Sequence, residues 1–121
     1  MSLEDSKSAR HRRGVESLTD TATVFQGMTS FFRKGRVTRQ LSYYFSIGGR
    51  EWTVFVGPES CEVKQGKAIE AADCFLETTD EIFLGTLRGD YVPSMMDLMQ
   101  GKVKTNRPDL LLEFKKLFTD D

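Results

Sequence analysis

The sequence has little of what most catalytic sites are built from. It contains one histidine and two cysteines in 121 residues. The histidine, His11, lies in a polar N-terminal segment, where no scaffold would orient it as the base of a Ser-His-Asp or Cys-His site. Neither Cys61 nor Cys74 has a partner at the spacing of a zinc site, so we expect buried free thiols. We therefore predict a protein that is not an enzyme and that uses neither a metal nor a cofactor.

A surplus of charge of one sign is also missing. Lys plus Arg is 17 and Asp plus Glu is 18, which gives a net charge of −1. Nucleic-acid binding needs a basic surplus on one face, so we expect no nucleic-acid partner. No apolar run is long enough to span a bilayer, and residues 1–13 lack the apolar stretch of a secretory signal. These absences favour a cytoplasmic protein.

The length allows one domain with one core. Residues 1–16 are polar and offer little to bury, so we expect a flexible tail there and a single folded domain over residues 17–121. Its first predicted element is a helix that begins at Ser17 or Thr19 and ends at Gly35. One broad apolar face supports this helix, and its members are Ala22, Val24, Phe25, Met28, Phe31 and Phe32.

Alternation of apolar and polar residues predicts strands in the middle of the chain. The predicted strands cover residues 41–47, 52–56, 61–65 and 71–77. Gly48-Gly49 supplies a two-residue turn that tolerates positive φ. Because each connection is shorter than a helical crossover, we predict that the four strands form an antiparallel meander.

The second half of the chain is predicted to hold three helices and one strand. Residues 78–81 (TTDE) have the form of a capping box that opens a helix through Leu87, with Gly89 at its end. The remaining elements are a short helix over 93–100, a strand over 102–105 and a helix over 108–118 capped by Asn106. The fold class is therefore α+β, with a five-stranded, mostly antiparallel sheet covered on one face by about four to five helices.

Large apolar side chains are abundant on these helices. There are nine phenylalanines, and Met95, Met96 and Met99 fall within five residues. Methionine adapts its shape, so such clusters often line surfaces that accept variable apolar partners, although a stripe of this kind is more often ordinary core. Adjacent methionines cannot share one buried helix face, and the final helix is apolar nearly all round. These features favour a second apolar environment, which is a partner, a membrane or a bound ligand.

Two segments carry a resemblance to a known family. Residues 72–83 (ADCFLETTDEIF) and residues 99–104 (MQGKVK) resemble the strand, helix start, Gly-Lys turn and last strand of the sterol carrier protein type 2 domain. Residues 43–48 and 52–56, with the turn at Gly66, fit its sheet. The resemblance covers about residues 17–118, and it departs from the family at 106–108 (NRP), where glycine often follows the last strand.

The resemblance implies that residues 17–121 form a non-catalytic lipid-binding domain. In such a domain a sterol, fatty acid or acyl-CoA occupies an apolar tunnel between helices and sheet, which the final helix helps to close. The polar residue before the Gly-Lys turn, here Gln100, would lie near the ligand. The expected ligand-binding residues are Phe25, Met28, Phe32, Phe83, Leu87, Met95, Met99, Gln100, Leu111, Phe114 and Phe118. They should line a cavity of roughly 300 Å³ or more.

The leading hypothesis is binding and transfer of a lipid without chemical change. The alternative is a structural, dimerisation or enzyme-accessory module that keeps the fold but transfers no lipid. Expected partners are a lipid or other apolar small molecule and, transiently, a membrane, with the protein a monomer or a homodimer. Lys102 and Lys104 follow Gln100 and would favour a fatty acid or acyl-CoA over a neutral sterol.

Overall fold

A five-stranded sheet in the order β3-β2-β1-β4-β5 forms the centre of the molecule. The computed structural model describes residues 20–118, so the predicted tail over residues 1–16 lies outside the described part. The strands are β1 (Leu41–Ile47), β2 (Arg50–Val56), β3 (Cys61–Gln65), β4 (Cys74–Thr78) and β5 (Val103–Thr105). Three of the four strand pairings are antiparallel, and β1 pairs with β4 in parallel. The predicted sheet of five mostly antiparallel strands is confirmed.

The central strand β1 shows why this sheet carries the core. Its alternate residues Leu41, Tyr43, Phe45 and Ile47 are all buried on one face, as a period of two requires. The strand ends at the turn Gly48-Gly49, where both residues have positive φ, 58° and 85°. This two-residue turn was predicted, and it matches the backbone twist of the strands that it joins.

The path from β3 to β4 differs from the predicted meander. The strand β4 does not lie next to β3. Residues 66–73 instead cross to the far side of β1, and β4 then runs parallel to β1. This parallel return needs no helix, because nine extended peptide steps reach about 30 Å, which is enough to cross the sheet. The Ala68 amide donates to Thr53 Oγ1, and Asp73 and Ser42 exchange hydrogen bonds. The crossing segment therefore covers the sheet face on which Thr53 is buried.

Within residues 20–118, four α-helices accompany the sheet, and three of them cover the face that carries Phe45. They are α1 (Thr21–Gly27), α2 (Asp80–Arg88), α3 (Met95–Met99) and α4 (Pro108–Phe118). The ring of Phe45 lies 5.2 Å from Phe25 of α1, 6.1 Å from Phe83 of α2 and 4.9 Å from Phe114 of α4. The α+β class, with helices on one sheet face, is confirmed.

The first helix is shorter than predicted. It is capped by Asp20, whose side chain accepts from the Thr23 amide, while the predicted caps Ser17 and Thr19 lie outside the described residues. After Gly27 the chain tightens into a 3₁₀ turn over Met28–Phe31, and Phe32 is extended. The helix does not reach Gly35, because Phe32 turns to pack on Phe118 of α4, with the ring centres 5.7 Å apart.

Three predicted caps also differ in the structure. The cap of α2 is Thr79, whose hydroxyl accepts from Ile82, whereas the Thr78 hydroxyl donates to the Lys102 carbonyl, so residues 78–81 form no capping box. A capping box does form at α3, where Ser94 and Asp97 bond each other, and Pro93 lies outside the helix. Asn106 does not cap the last helix but accepts from the Phe75 amide of β4.

Candidate ligand-binding site

A small apolar cavity lies between α2, α4 and the edge formed by β4 and β5. Its volume is about 120 Å³, which is smaller than the roughly 300 Å³ of the cavity that the sequence predicts. The wall of the cavity is formed almost entirely by apolar atoms, even where the residue that supplies them is polar. They belong to Leu76, Thr78, Ile82, Phe83, Thr86, Leu87, Pro93, Val103, Leu111, Leu112, Phe114 and Lys115.

The floor of the cavity is an interlocked aromatic cluster. Phe114 lies 4.8 Å from Tyr43 and 4.7 Å from Phe118 between ring centres, and Phe83 stacks on Phe25 at 5.5 Å. Such pairs add to the free energy of area burial. The Tyr43 hydroxyl donates to the Leu110 carbonyl at 3.0 Å, which fastens α4 to the sheet. Burial raises the pKa of Tyr43, so this hydroxyl keeps its proton at neutral pH.

Two threonines beside the cavity add almost no polar surface to it. Thr78 uses its hydroxyl to donate to the Lys102 carbonyl at 2.7 Å. The hydroxyl oxygen of Thr86 is buried with no hydrogen-bond partner among the described residues. Lys115 is the one charged residue among those that line the space. The cavity therefore suits hydrocarbon and offers little to a charged head group.

Residues 90–100, which we call the flap, cover one side of the cavity. Pro93 of the flap lines the cavity, while Val92, Met95 and Met99 are 83%, 72% and 77% exposed. The one buried residue of α3 is Asp97, which is 7% exposed. Within α3, the carboxylate of Asp97 is therefore covered and the apolar side chains point outwards.

Hydrogen bonds around Asp97 hold the flap itself together. The carboxylate accepts from the Ser94 amide at 2.9 Å and from the Tyr91 hydroxyl. These bonds, the Ser94 amide first, hold the pKa of Asp97 below its usual value. Tyr91 in turn packs on Gly85 of α2, where an added Cβ would lie 2.9 Å from the Tyr91 Cβ. Glycine at 85 thus permits the close approach of the flap to α2.

A second, polar groove borders the cavity. It has a volume of about 460 Å³ and is lined by Thr79, Glu81, Ile82, Tyr91 and Lys102. Ile82 lines both spaces, so groove and cavity meet at this residue. The groove is thus a place for the polar head group of a ligand whose apolar part lies in the cavity.

The structure brings four of the eleven sequence-predicted site residues to the cavity: Phe83, Leu87, Leu111 and Phe114. Phe25, Met28 and Phe118 are buried in the core and do not line the cavity, and Phe32 is half-buried against Phe118. Met95, Met99 and Gln100 lie on the surface. Whether any of the eleven contacts a ligand stays a prediction.

Several residues that line the cavity were absent from the predicted set. Leu76 of β4 and Val103 of β5 point to the helix side of the sheet, and the alternation of their strands could have identified them. Pro93 and Leu112 had no such signal, because their positions depend on how the flap and α4 pack.

The titratable groups of the described residues do not form an evident reactive centre. Cys61 and Cys74 are both free, and burial raises the pKa of Cys61 to about 11 and also raises that of Cys74. Both thiols are therefore protonated at neutral pH and are weak nucleophiles. Within residues 20–118 no three His, Cys, Asp or Glu side chains cluster as metal ligands. Over the same residues, no helix has the length and apolar character to cross a bilayer.

Comparisons with known proteins identify the fold. No family model and no curated protein matches the chain. The sec-alkylsulfatase Pisa1 from Pseudomonas sp. matches with a TM-score of 0.66 and 14% identity over 81% of this chain and 16% of that one. Palmitated SCP2L2 from Aedes aegypti matches with a TM-score of 0.52 and 17% identity over 81% of this chain and 93% of that one.

The ubiquinone synthesis protein UbiJ-SCP2 matches with a TM-score of 0.56 and 14% identity, over 80% of this chain and 86% of that one. The chain therefore has the fold of sterol carrier protein type 2 domains, as the sequence resemblance implied. It spans only 16% of the sulfatase chain, whose remaining length has no counterpart here.

Proposed function

We propose that the chain binds the apolar part of a lipid in the cavity under the flap and carries it without chemical change. The observation that carries this proposal is a cavity with almost wholly apolar walls between helices and sheet, in a fold shared with a protein described as palmitated. Water gains few hydrogen bonds in such a space, so hydrocarbon is the favoured occupant. A fatty acid, an acyl-CoA and a sterol remain the candidate lipids.

The size of the cavity restricts what can enter it in this conformation. An engineered apolar cavity of about 150 Å³ holds benzene, so a space of about 120 Å³ admits the end of an acyl chain but not a sterol ring system. A longer chain needs the wall to move outwards. The flap is the part that can move, because its outward side chains make little contact with the rest of the protein.

The direct test is to fill the cavity. Leu111 lines it, whereas Leu84 is packed against the core on α2 without lining it. We expect Leu111→Phe to weaken binding of dodecanoic acid at least tenfold in a calorimetric titration, and Leu84→Phe to leave the affinity within twofold. Equal loss in both variants, or no binding of any acyl chain or sterol by the unaltered protein, would refute the proposal.

The same proposal extends to the cellular role. A carrier of this kind would act in the cytoplasm, would contact membranes transiently to load and release its lipid, and would work as a monomer or a homodimer. Lys102 lines the polar groove next to the cavity, which supports an anionic lipid as cargo. Lys104 pairs across the sheet with Glu77 and does not line that groove.

A second candidate function is a module within a larger enzyme or assembly. The observation in its favour is the match to a sulfatase chain of which this fold forms a small part. Gentle purification followed by lipid extraction separates the two candidates. A carrier should retain lipid in stoichiometric amount as a monomer, whereas a module should be empty and self-associated.

A further inference from the structure

We propose that the flap is a docking surface for a lipid bilayer that carries anionic head groups. This inference rests in part on the proposed function, because a carrier must meet a membrane, but it is argued from the flap itself. The flap gathers most of the large apolar side chains that are well exposed in residues 20–118. Exposed apolar groups collected in one place mark an interaction surface more often than scattered ones do.

The helix α3 has the reverse of the usual amphipathic arrangement. At about 100° per residue, Met95, Met96, Leu98 and Met99 share an arc of about 160°, and all four are exposed. The remaining residue, Asp97, lies on the opposite side of the helix, is 7% exposed, and accepts hydrogen bonds from Ser94 and Tyr91 of the flap. A helix that needed only to pack on its own core would bury its apolar arc and expose its carboxylate. This arc must therefore meet an apolar phase outside the protein.

The chemistry of the arc fits acyl chains. Three of its four side chains are methionines, which are unbranched and adapt to an irregular apolar surrounding. The outer arc carries no charge and no hydrogen-bonding side chain, so nothing on it would be left unsatisfied at the acyl boundary of a bilayer.

Positive charge flanks the flap. Lys102 lines the polar groove together with Tyr91, and Lys115 lines the cavity together with Pro93, so both lysines lie beside the flap. Each lysine near an anionic bilayer adds to the attraction. Glu81, in the same groove as Lys102, and Asp90, an exposed residue of the flap, offset part of this charge.

The position of the flap links docking to the cavity. Pro93 of the flap and the exposed Leu112 of α4 both line the cavity. If the flap inserts at the acyl boundary, this side of the cavity faces the lipid from which a chain would enter. A membrane thus meets the protein at the place where the proposed ligand passes.

The experiment is co-sedimentation with vesicles of phosphatidylcholine containing one quarter phosphatidylglycerol, with no added ligand. We expect the double variant Met95→Gln, Met99→Gln to bind these vesicles about tenfold more weakly or worse, because two apolar side chains are lost. Glutamine keeps the unbranched shape and the helix propensity of methionine, and both sites are exposed, so the melting temperature should not change. The matched control is Phe75→Thr, which removes a side chain that is 37% exposed on β4, away from the flap; it should stay within twofold.

Two further variants make the result specific. Lys102→Gln should weaken binding to the anionic vesicles about fivefold and leave binding to pure phosphatidylcholine unchanged. Leu111→Phe should lose the ligand and still dock, so a failure of the proposed function is distinguishable from a failure of docking. The inference is overturned if the unaltered protein does not bind vesicles, if the Phe75 control falls as far as the double variant, or if the methionine variant abolishes a dimer in solution, which would assign the flap to a second copy.

Discussion

The aromatic floor of the cavity and the flap that covers it are both rich in apolar side chains, but they use them in opposite ways. In the floor, Phe45 contacts four aromatic rings and is fully buried. In the flap, Met95 and Met99 are mostly exposed. The flap is joined to its surroundings by a few backbone hydrogen bonds, from Asp90 and Tyr91 to the Gly85 carbonyl and from Lys102 to the Asp97 carbonyl. Apolar content alone therefore does not separate a core from an interaction surface.

The difference bears on how a closed cavity can take up a ligand. Interlocked rings resist rearrangement, because a side chain that shifts loses contacts on every side. A short helix fixed by hydrogen bonds can open when a few of them break. We therefore expect the floor to stay as it is during binding and the flap to provide the movement.

The largest expected difference between the two regions is in stability. Phe45→Ala should lower the free energy of unfolding by about 3–5 kcal/mol, because it removes a ring at the centre of the cluster. Met95→Ala should change the same quantity by less than about 0.5 kcal/mol, as at most exposed sites. Urea denaturation of both variants makes the comparison. A similar loss at both positions would show that the flap belongs to the core.

A smaller effect is expected from filling the cavity. At about 24 cal/mol per Å³ of empty apolar volume, a space of about 120 Å³ destabilises the protein by up to about 3 kcal/mol. Leu111→Phe should recover roughly 1 kcal/mol of this in the ligand-free protein, measured by urea denaturation. Leu84→Phe, outside the cavity, should show no gain; a loss of stability in Leu111→Phe would mean that the cavity is too small to accept even one ring.

Removing the helix cap should loosen the flap alone. The Ser94 hydroxyl accepts from the Asp97 amide at 3.2 Å, and loss of such a cap typically destabilises a helix by about 1 kcal/mol. We expect Ser94→Ala to speed hydrogen exchange roughly fivefold at the amides of Leu98 and Gln100, which bond within α3. Exchange in β1 and β2 should not change. Faster exchange throughout the sheet would contradict an independent flap.

The smallest effect concerns pH. Hydrogen bonds to the carboxylate keep the folded pKa of Asp97 below its ordinary value of 3.8, so folding favours the ionised form. The stabilisation is then complete above pH 3.8 and is lost as pH falls through the folded pKa. We expect NMR signals of the flap to be constant from pH 7 to pH 5 and to change only below pH 3.8, before the sheet unfolds. In Asp97→Asn the change of the flap signals below pH 3.8 should be absent. If the signals still change, the titrating group is not Asp97.

Local signals in the sequence were enough for much of the fold. The Gly48-Gly49 turn, the alternation of β1 and the full extent of α4 follow from residue types within a few positions of each other. The parallel pairing of β4 with β1 could not be read in this way. It depends on where an extended segment runs over the sheet, and that path is fixed by distant contacts such as the hydrogen bonds between Ser42 and Asp73.

The candidate site was harder to predict than the fold. Periodicity shows that α3 has an apolar arc, but it does not show which arc faces the protein. Here Asp97 accepts hydrogen bonds from Tyr91 and Ser94 of the same segment and is covered, while Met95 and Met99 point outwards. The orientation is thus decided by hydrogen bonds that the apolar pattern does not contain.

Hydrogen exchange with and without dodecanoic acid tests most directly whether a ligand enters beneath a movable flap. The amides to follow are those of Gln100, bonded to the Met96 carbonyl, and Lys102, bonded to the Asp97 carbonyl. At a free ligand concentration of a hundred times Kd, exchange that requires the empty state should slow about a hundredfold at these amides, while locally exchanging amides at the ends of β2 and β3 should keep their rates. No change at the flap, or equal slowing at the flap and at those strand ends, would contradict binding under the flap.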